Sequence, residues 1–125
     1  MYNHHLIDIE FETDDPCKEM DMFKRTLLGM CKKSGVTIMN EYFHKFEKHG
    51  QGFTGVVCLA ESHVSIHTWP ESKYSAIDIF TCGRNMQPKL ASQFLIESLE
   101  ASNYLLKTIA RDYPSYIKDQ IREPT

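Results

Sequence analysis

A serine, two histidines and a cysteine gather around one short stretch of this 125-residue chain. The run Glu61-Ser62-His63-Val64-Ser65-Ile66-His67-Thr68-Trp69-Pro70 is followed by Asp78-Ile79-Phe80-Thr81-Cys82-Gly83. Ser62 offers a hydroxyl nucleophile, His67 an imidazole that titrates near neutrality, and Cys82 a thiol able to give a proton. A hydrolase built on these three lacks an acid to orient His67 and a Gly-x-Ser-x-Gly elbow. A metal pair of His63 and His67 fails on distance: on one face of a strand they stand about 13 Å apart, too far to share an ion. Cys17, Cys31, Cys58 and Cys82 form no C-x-x-C pair, so zinc and dithiol chemistry have no local support. Cys17, Cys31 and Cys58 fall in apolar patterns and read as small core residues.

The elements that must position these groups are legible. Residues 5–11 alternate and predict a first strand. Asp14-Asp15-Pro16 is a helix start, an acidic cap followed by proline in the first turn. Met20, Phe23, Leu27 and Met30 recur at helical spacing to about Lys33, and Gly35 stops the helix. Residues 36–46 are rich in Val, Thr, Ile, Tyr and Phe and predict a strand. A polar loop over 47–53 and a short buried strand over 55–60 follow. Residues 64–69 and 74–81 flank Pro70-Glu71-Ser72-Lys73, which predicts a hairpin. A second helix starts over 85–88 and carries Ala91, Phe94, Leu95 and Leu99 on one face; Asn103 breaks it, and 104–110 make a last strand. The tail 112–125 reads as a short helix or a loose arm.

If the turn pairs Trp69 with Tyr74, then His67 faces Ala76, Ser65 faces Asp78, Ser62 faces Thr81 and Glu61 faces Cys82. Serine and thiol become neighbours at one end of the hairpin. His67 lies five residues from Ser62, about 16 Å along an extended strand, too far to act on it within one chain. A two-fold dimer removes the difficulty by bringing the second copy's His67 to this Ser62.

This order of elements predicts one domain over 1–125 of the α+β class: a two-layer α/β sandwich, an antiparallel sheet with two helices on one face. Apolar residues on the other face suggest a second sheet packed on it, giving an αββα sandwich dimer. With 42% hydrophobic and 25% charged residues the balance is that of a globular chain. A formal charge of -3 gives no reason to expect nucleic acid or a membrane surface as partner. No segment approaches the roughly 20 apolar residues of a membrane span. Residues 1–5 lack the marks of a signal peptide, so a cytoplasmic location and reduced thiols are expected.

The run from Glu61 to Gly83 closely resembles the self-cleavage site of the bacterial and archaeal S-adenosylmethionine decarboxylase proenzymes. Weaker similarity extends through Ser34-Gly35-Val36-Thr37-Ile38, Phe43-His44-Lys45-Phe46 and Gly55-Val56-Val57, and His5-Leu6 fits the pattern too. The resemblance implies cleavage between Glu61 and Ser62, giving chains 1–61 and 62–125. Ser62 would attack the Glu61 carbonyl to form an ester, and His67 would remove the Ser62 α-proton so that the ester is eliminated. A pyruvoyl group made from Ser62 would then serve as cofactor, without metal or pyridoxal phosphate. It would form a Schiff base with the substrate amine and accept electrons as carbon dioxide leaves. Cys82 would protonate the product. Thr54 stands where the family usually has a serine that assists processing; its methyl restricts rotation, but the hydroxyl remains. In the family this hydroxyl and the histidine come from the partner subunit of a homodimer. Phe46 matches an aromatic that stacks on adenine and Glu71 a carboxylate that binds ribose hydroxyls, with Trp69 between them; read without the resemblance, Phe46 and Trp69 are equally core aromatics. The implied activity is decarboxylation of S-adenosylmethionine, which supplies the aminopropyl donor for spermidine. Alternatives are a pyruvoyl-dependent decarboxylase of ornithine or arginine, and a dimeric binding or regulatory relative that never cleaves. The 47–53 loop is longer than the family pattern and the tail does not match it.

Overall fold

The computed structural model describes residues 2–11, 16–48, 51–60, 62–81 and 88–111. The expected cap at Asp14-Asp15, the second helix start over 85–87, Glu61, Cys82 and the tail from 112 lie outside the described residues.

Six strands form one sheet: β1 (Asn3–Glu10), β2 (Ile38–Lys45), β3 (Phe53–Leu59), β4 (His63–Trp69), β5 (Tyr74–Thr81) and β6 (Asn103–Ala110). Their order is β2-β3-β4-β5-β1-β6, and every neighbouring pair is antiparallel. Helices α1 (Pro16–Lys33) and α2 (Pro88–Leu99) pack on one another and on this sheet. The expected two-layer α+β arrangement is the observed one.

The core follows from two periodicities. In α1, Phe23, Leu27, Met30 and Cys31 recur at helical spacing and are buried; in α2, Ala91, Leu95 and Leu99 do the same. In the strands every second residue is inward: Ile7 and Ile9 in β1, Phe53, Val57 and Leu59 in β3, Val64 and Ile66 in β4, Ile77 and Ile79 in β5. Each such side chain contributes about 1.5–3 kcal/mol by leaving water, and Leu27→Ala would cost about 2–5 kcal/mol by opening a cavity where helix meets sheet. Helix α1 ends on Gly35, whose φ of 74° is left-handed. Gly35 N–H donates to the Lys32 carbonyl and Val36 N–H to that of Cys31, which satisfies carbonyls the helix leaves open.

One expectation needs correction. Cys31 is buried, and burial pushes its thiol up to about 11, but Cys58 is exposed rather than in the core. The 55–60 run alternates because helices cover only one face: Gly55, Val57 and Leu59 turn inward, and Cys58 stands outward beside His63 on the next strand. Cys17 lies outside the described side chains.

Among the described residues the other sheet face carries no helix. Along it are Tyr42 of β2, Trp69 of β4, Tyr74 of β5 and Leu105 and Ile109 of β6, all exposed. Among the described residues no helix is long and apolar enough to cross a membrane.

Candidate active site

The hairpin has the register its turn dictates. Trp69 pairs with Tyr74, His67 with Ala76 and Ser65 with Asp78. Pro70–Ser72 form a single 3-10 turn, closed by Lys73 N–H donating to the Pro70 carbonyl at 3.0 Å. Lys73 completes the reversal with a φ of 52°. This turn carries Glu71 to the end of the sheet where β2 and β3 meet the 47–53 loop.

Gly52 brings that loop in. A Cβ there would stand 2.3 Å from the Thr68 carbonyl oxygen, so only glycine permits the approach. The Gly52 carbonyl accepts the Phe46 N–H at 2.8 Å, and Phe53 N–H donates to Thr68 Oγ1 at 3.0 Å. The result is a cleft of about 750 Å³ lined by Phe46, Thr54, His67, Trp69 and Glu71, with Lys45 and Lys48 at its edge. Five of the residues singled out from the sequence therefore line one cavity.

Within the cleft Thr54 and His67 are cross-strand partners, and Thr54 Oγ1 lies 2.9 Å from His67 Nδ1. A hydroxyl held on one ring nitrogen fixes the imidazole's orientation and leaves the other nitrogen for chemistry. His44 packs edge-on against Phe46 with ring centres 4.9 Å apart, a contact that was not expected of it. Trp69 stacks on Tyr74 at 5.3 Å, and the Tyr74 hydroxyl donates to Asp8. That bond, with burial and the charges of Asp8 and Asp78, pushes Tyr74 up to about 12. It stays protonated and anchors the tryptophan. Trp69 is thus a cleft wall, not a core residue.

Ser62 is elsewhere. It precedes His63 at the far end of β4, five positions from His67, about 16 Å along the strand. Its carbonyl accepts the Leu59 N–H at 2.9 Å, which continues the ladder beyond the Cys58–His63 pair. Paired residues share a face, so Ser62 turns its side chain to the core side with Leu59, whereas His67 stands on the open side. Ser62 Oγ is buried and has no hydrogen-bond partner among the described residues. A buried hydroxyl without a partner costs about 1–3 kcal/mol and is uncommon in a native fold. The fold thus places the Thr54–His67 contact and Ser62 at opposite ends of β4 and does not join them within one chain. Glu61 and Cys82 lie outside the described residues, and the same residues hold no cluster that could bind a metal ion.

One buried acid escaped the sequence reading. Glu19 of α1 is 3% exposed and its Oε2 has no partner among the described residues. Burial pushes its carboxyl up to about 7, against a smaller opposing effect of Lys45. Its place in the first turn of an amphipathic helix gave no sign of this.

The family model described as S-adenosylmethionine decarboxylase matches residues 3–112. The chain belongs to the S-adenosylmethionine decarboxylase family. It is 40% identical over 126 residues to the S-adenosylmethionine decarboxylase proenzyme of Parasynechococcus marenigrum (strain WH8102), covering 99% of this chain and 96% of that one. To the proenzyme of Prochlorococcus marinus (strain MIT 9211) it is 46% identical over 102 residues, 81% of this chain and 82% of the relative. Its fold is similar to the crystal structure of the adenosylmethionine decarboxylase from Aquifex aeolicus VF5, with a TM-score of 0.73 and 30% identity over 87% of this chain and 88% of that one. The matched span includes Thr54, Ser62 and His67.

Proposed function

We propose that this chain is a cytoplasmic proenzyme that cleaves itself between Glu61 and Ser62 and then decarboxylates S-adenosylmethionine as a homodimer, providing the aminopropyl donor for spermidine. The observation that carries the reading is a histidine with its hydroxyl partner at one end of β4 and, at the other, a serine whose buried hydroxyl has no partner among the described residues. Two-fold stacking of the open faces would set the Thr54–His67 pair of one copy against Ser62 of the other. The exposed apolar side chains of Tyr42, Trp69, Leu105 and Ile109 on that face support such packing.

In this reading Ser62 Oγ attacks the Glu61 carbonyl carbon, and the ester forms as the amide bond breaks. His67, oriented by Thr54, then takes the Ser62 α-proton, so the ester C–O bond breaks and residues 1–61 leave as a separate chain. Water then hydrolyses the dehydroalanine left at position 62 with release of ammonia, and the pyruvoyl group so formed would supply an electron-accepting carbonyl for a substrate amine. Phe46 and Trp69 offer aromatic faces to the adenine, Glu71 accepts hydrogen bonds from the ribose hydroxyls, and Cys82 delivers the proton that replaces the lost carboxylate. An aromatic cleft suits a nucleoside better than ornithine or arginine, whose side chains carry no ring. The test is release of carbon dioxide from S-adenosylmethionine, ornithine and arginine in parallel. Release from the first alone is expected; release only from either of the others would reassign the substrate.

A further inference from the structure

The cleft is not built for a cation by its lining alone. Its walls hold two lysines, Lys45 and Lys48, and two glutamates, Glu47 and Glu71, so their formal charges cancel. S-adenosylmethionine carries a sulfonium, a permanent cation that no proton transfer can neutralise. Glu47 and Lys48 are exposed, where water and salt screen them; Lys45 is only half-exposed. Its charge therefore weighs most against a cationic ligand.

Glu19 lies behind that lysine. Lys45 pairs with the buried Phe53, so it is on the sheet face that the helices cover. Phe23 of α1 packs on Phe53 with ring centres 5.5 Å apart. Lys24 lies over Phe43 and bridges Glu41 at 3.0 Å. Helix and β2 thus run in opposite senses: going back along α1 means going forward along β2. One helical turn before Phe23, on the same stripe, is Glu19; two residues beyond Phe43 is Lys45. The carboxyl is 3% exposed, and its Oε2 is buried without a partner among the described residues. No other charge is placed to act on it as Lys45 does. Glu41 is engaged by Lys24. The inward residues of β3 are Phe53, Gly55, Val57 and Leu59, none of them titratable. On β1, His5 lies toward the other end of the sheet, between Ile79 and Thr108. Helix α2 meets the far half of α1, where Lys33 lies over Phe94.

We propose that Glu19 sets the cleft's affinity for a cationic substrate: its carboxylate, acting through Lys45, offsets the lysine's charge from behind the cleft wall and so admits the sulfonium. The inference rests on the substrate proposed above and adds to it a control that touches no substrate atom. Burial pushes the Glu19 carboxyl up to about 7, with Lys45 opposing. Below that pH the acid is neutral, Lys45 is uncompensated, and the sulfonium is repelled. Above it the carboxylate is present and the cation binds more tightly. The same sequence of charges leaves an uncharged ligand unaffected.

S-adenosylhomocysteine separates charge from shape, because it keeps the adenosyl, amine and carboxylate groups and has a neutral thioether in place of the sulfonium. Wild type, Glu19→Gln and Lys45→Met are compared at pH 6, 7 and 8 by KM and kcat for S-adenosylmethionine and by the inhibition constant of the thioether. Taking each variant as a ratio to wild type at the same pH cancels the titration of His67 and of the ligand amine. The KM ratio of Glu19→Gln should rise from near one at pH 6 to about five at pH 8, the scale of one charge acting across partly hydrated protein. Its kcat and its ratio for the thioether should stay near one throughout. Lys45→Met should lower KM below wild type at pH 6, where the lysine is uncompensated. A purely structural role for Glu19 would move both ligands alike. A Glu19→Gln ratio that does not change with pH, or a thioether weakened as much as the sulfonium, would overturn the inference and leave the decarboxylase reading intact. A wild type inactive toward S-adenosylmethionine would sink both. If Glu19→Gln does not mature, Lys45→Met decides: a KM at pH 6 no lower than that of wild type would overturn the inference.

Discussion

Ser62 and His67 stand five positions apart along one strand and present their side chains to opposite faces of the sheet. Strand geometry forces both facts: an odd separation reverses the face, and about 3.3 Å per residue sets the distance. One chain cannot bring the pair together without dismantling β4, whose residues are hydrogen-bonded on both sides.

The proposed sharing of the site between two copies makes a complementation test direct. Ser62→Ala lacks the nucleophile and His67→Ala lacks the base, so neither should cleave alone. Co-expressed, they should form mixed dimers in which the His67→Ala chain is cut, its intact Ser62 meeting the other copy's intact His67. Absence of any cut chain in a verified mixed dimer would argue for a site within one protomer.

Thr54 should act through its hydroxyl. Thr54→Val keeps the shape and removes the 2.9 Å contact to His67 Nδ1; scission should slow by about 10–100-fold, as expected when a base loses its orientation. Thr54→Ser should cleave at least as fast as wild type, since it keeps the oxygen and frees its rotation. A gel time course reads both, and a Thr54→Val chain that matures normally would remove the residue from the mechanism.

Glu19 should leave a mark on stability. Its carboxyl is raised from 4.5 to about 7 in the fold. Between those values the folded chain holds a proton that the unfolded chain has lost, so this residue's contribution falls as pH rises through the window. The loss is on the order of 3 kcal/mol and complete above about pH 7. Neutral burial of His5 works in the opposite sense, costing stability as pH falls below its ordinary value of 6.5. The comparison with Glu19→Gln isolates the acid: the variant should gain on wild type in denaturant midpoint between pH 5 and pH 8. A constant difference across that range would contradict the buried, raised carboxyl.

Gly52→Ala should disturb the cleft through its backbone. The added methyl meets the Thr68 carbonyl, and overpacking of this kind costs about 1–3 kcal/mol. The loop must move outward, weakening the Phe46 N–H to Gly52 carbonyl bond, so KM for S-adenosylmethionine should rise more than scission slows. Unchanged KM and melting temperature would show that the loop does not shape the cleft.

The hairpin was readable from the sequence because a four-residue turn between two alternating runs allows few registers, and Trp69–Tyr74 followed from it. Helix α1 was readable because Phe23, Leu27 and Met30 share one stripe. The cleft residues came from the family resemblance rather than from spacing: nothing local shows that Phe46, Thr54 and Glu71 converge, since they lie on three segments joined by long-range pairing. Strand boundaries moved by about two residues, β1 starting at Asn3 and β2 at Ile38, where propensity is weak and pairing partners decide. Cys58 was misread because an apolar run hides which parity faces inward; the helices decide that, and they lie far away in sequence. The inward turn of Ser62 was hidden for the same reason, although the register that fixes it was in view. Burial of His5 and Glu19 could not be read, because a polar residue in a strand or a first helical turn looks like a surface residue until its neighbours are known.

Intact-mass measurement of freshly folded wild-type protein tests the central claim most directly. Two chains should appear, divided between Glu61 and Ser62, the second lighter by one ammonia than a serine-headed chain and reactive toward carbonyl reagents. A single uncut chain of 125 residues, unchanged after long incubation, would contradict the account.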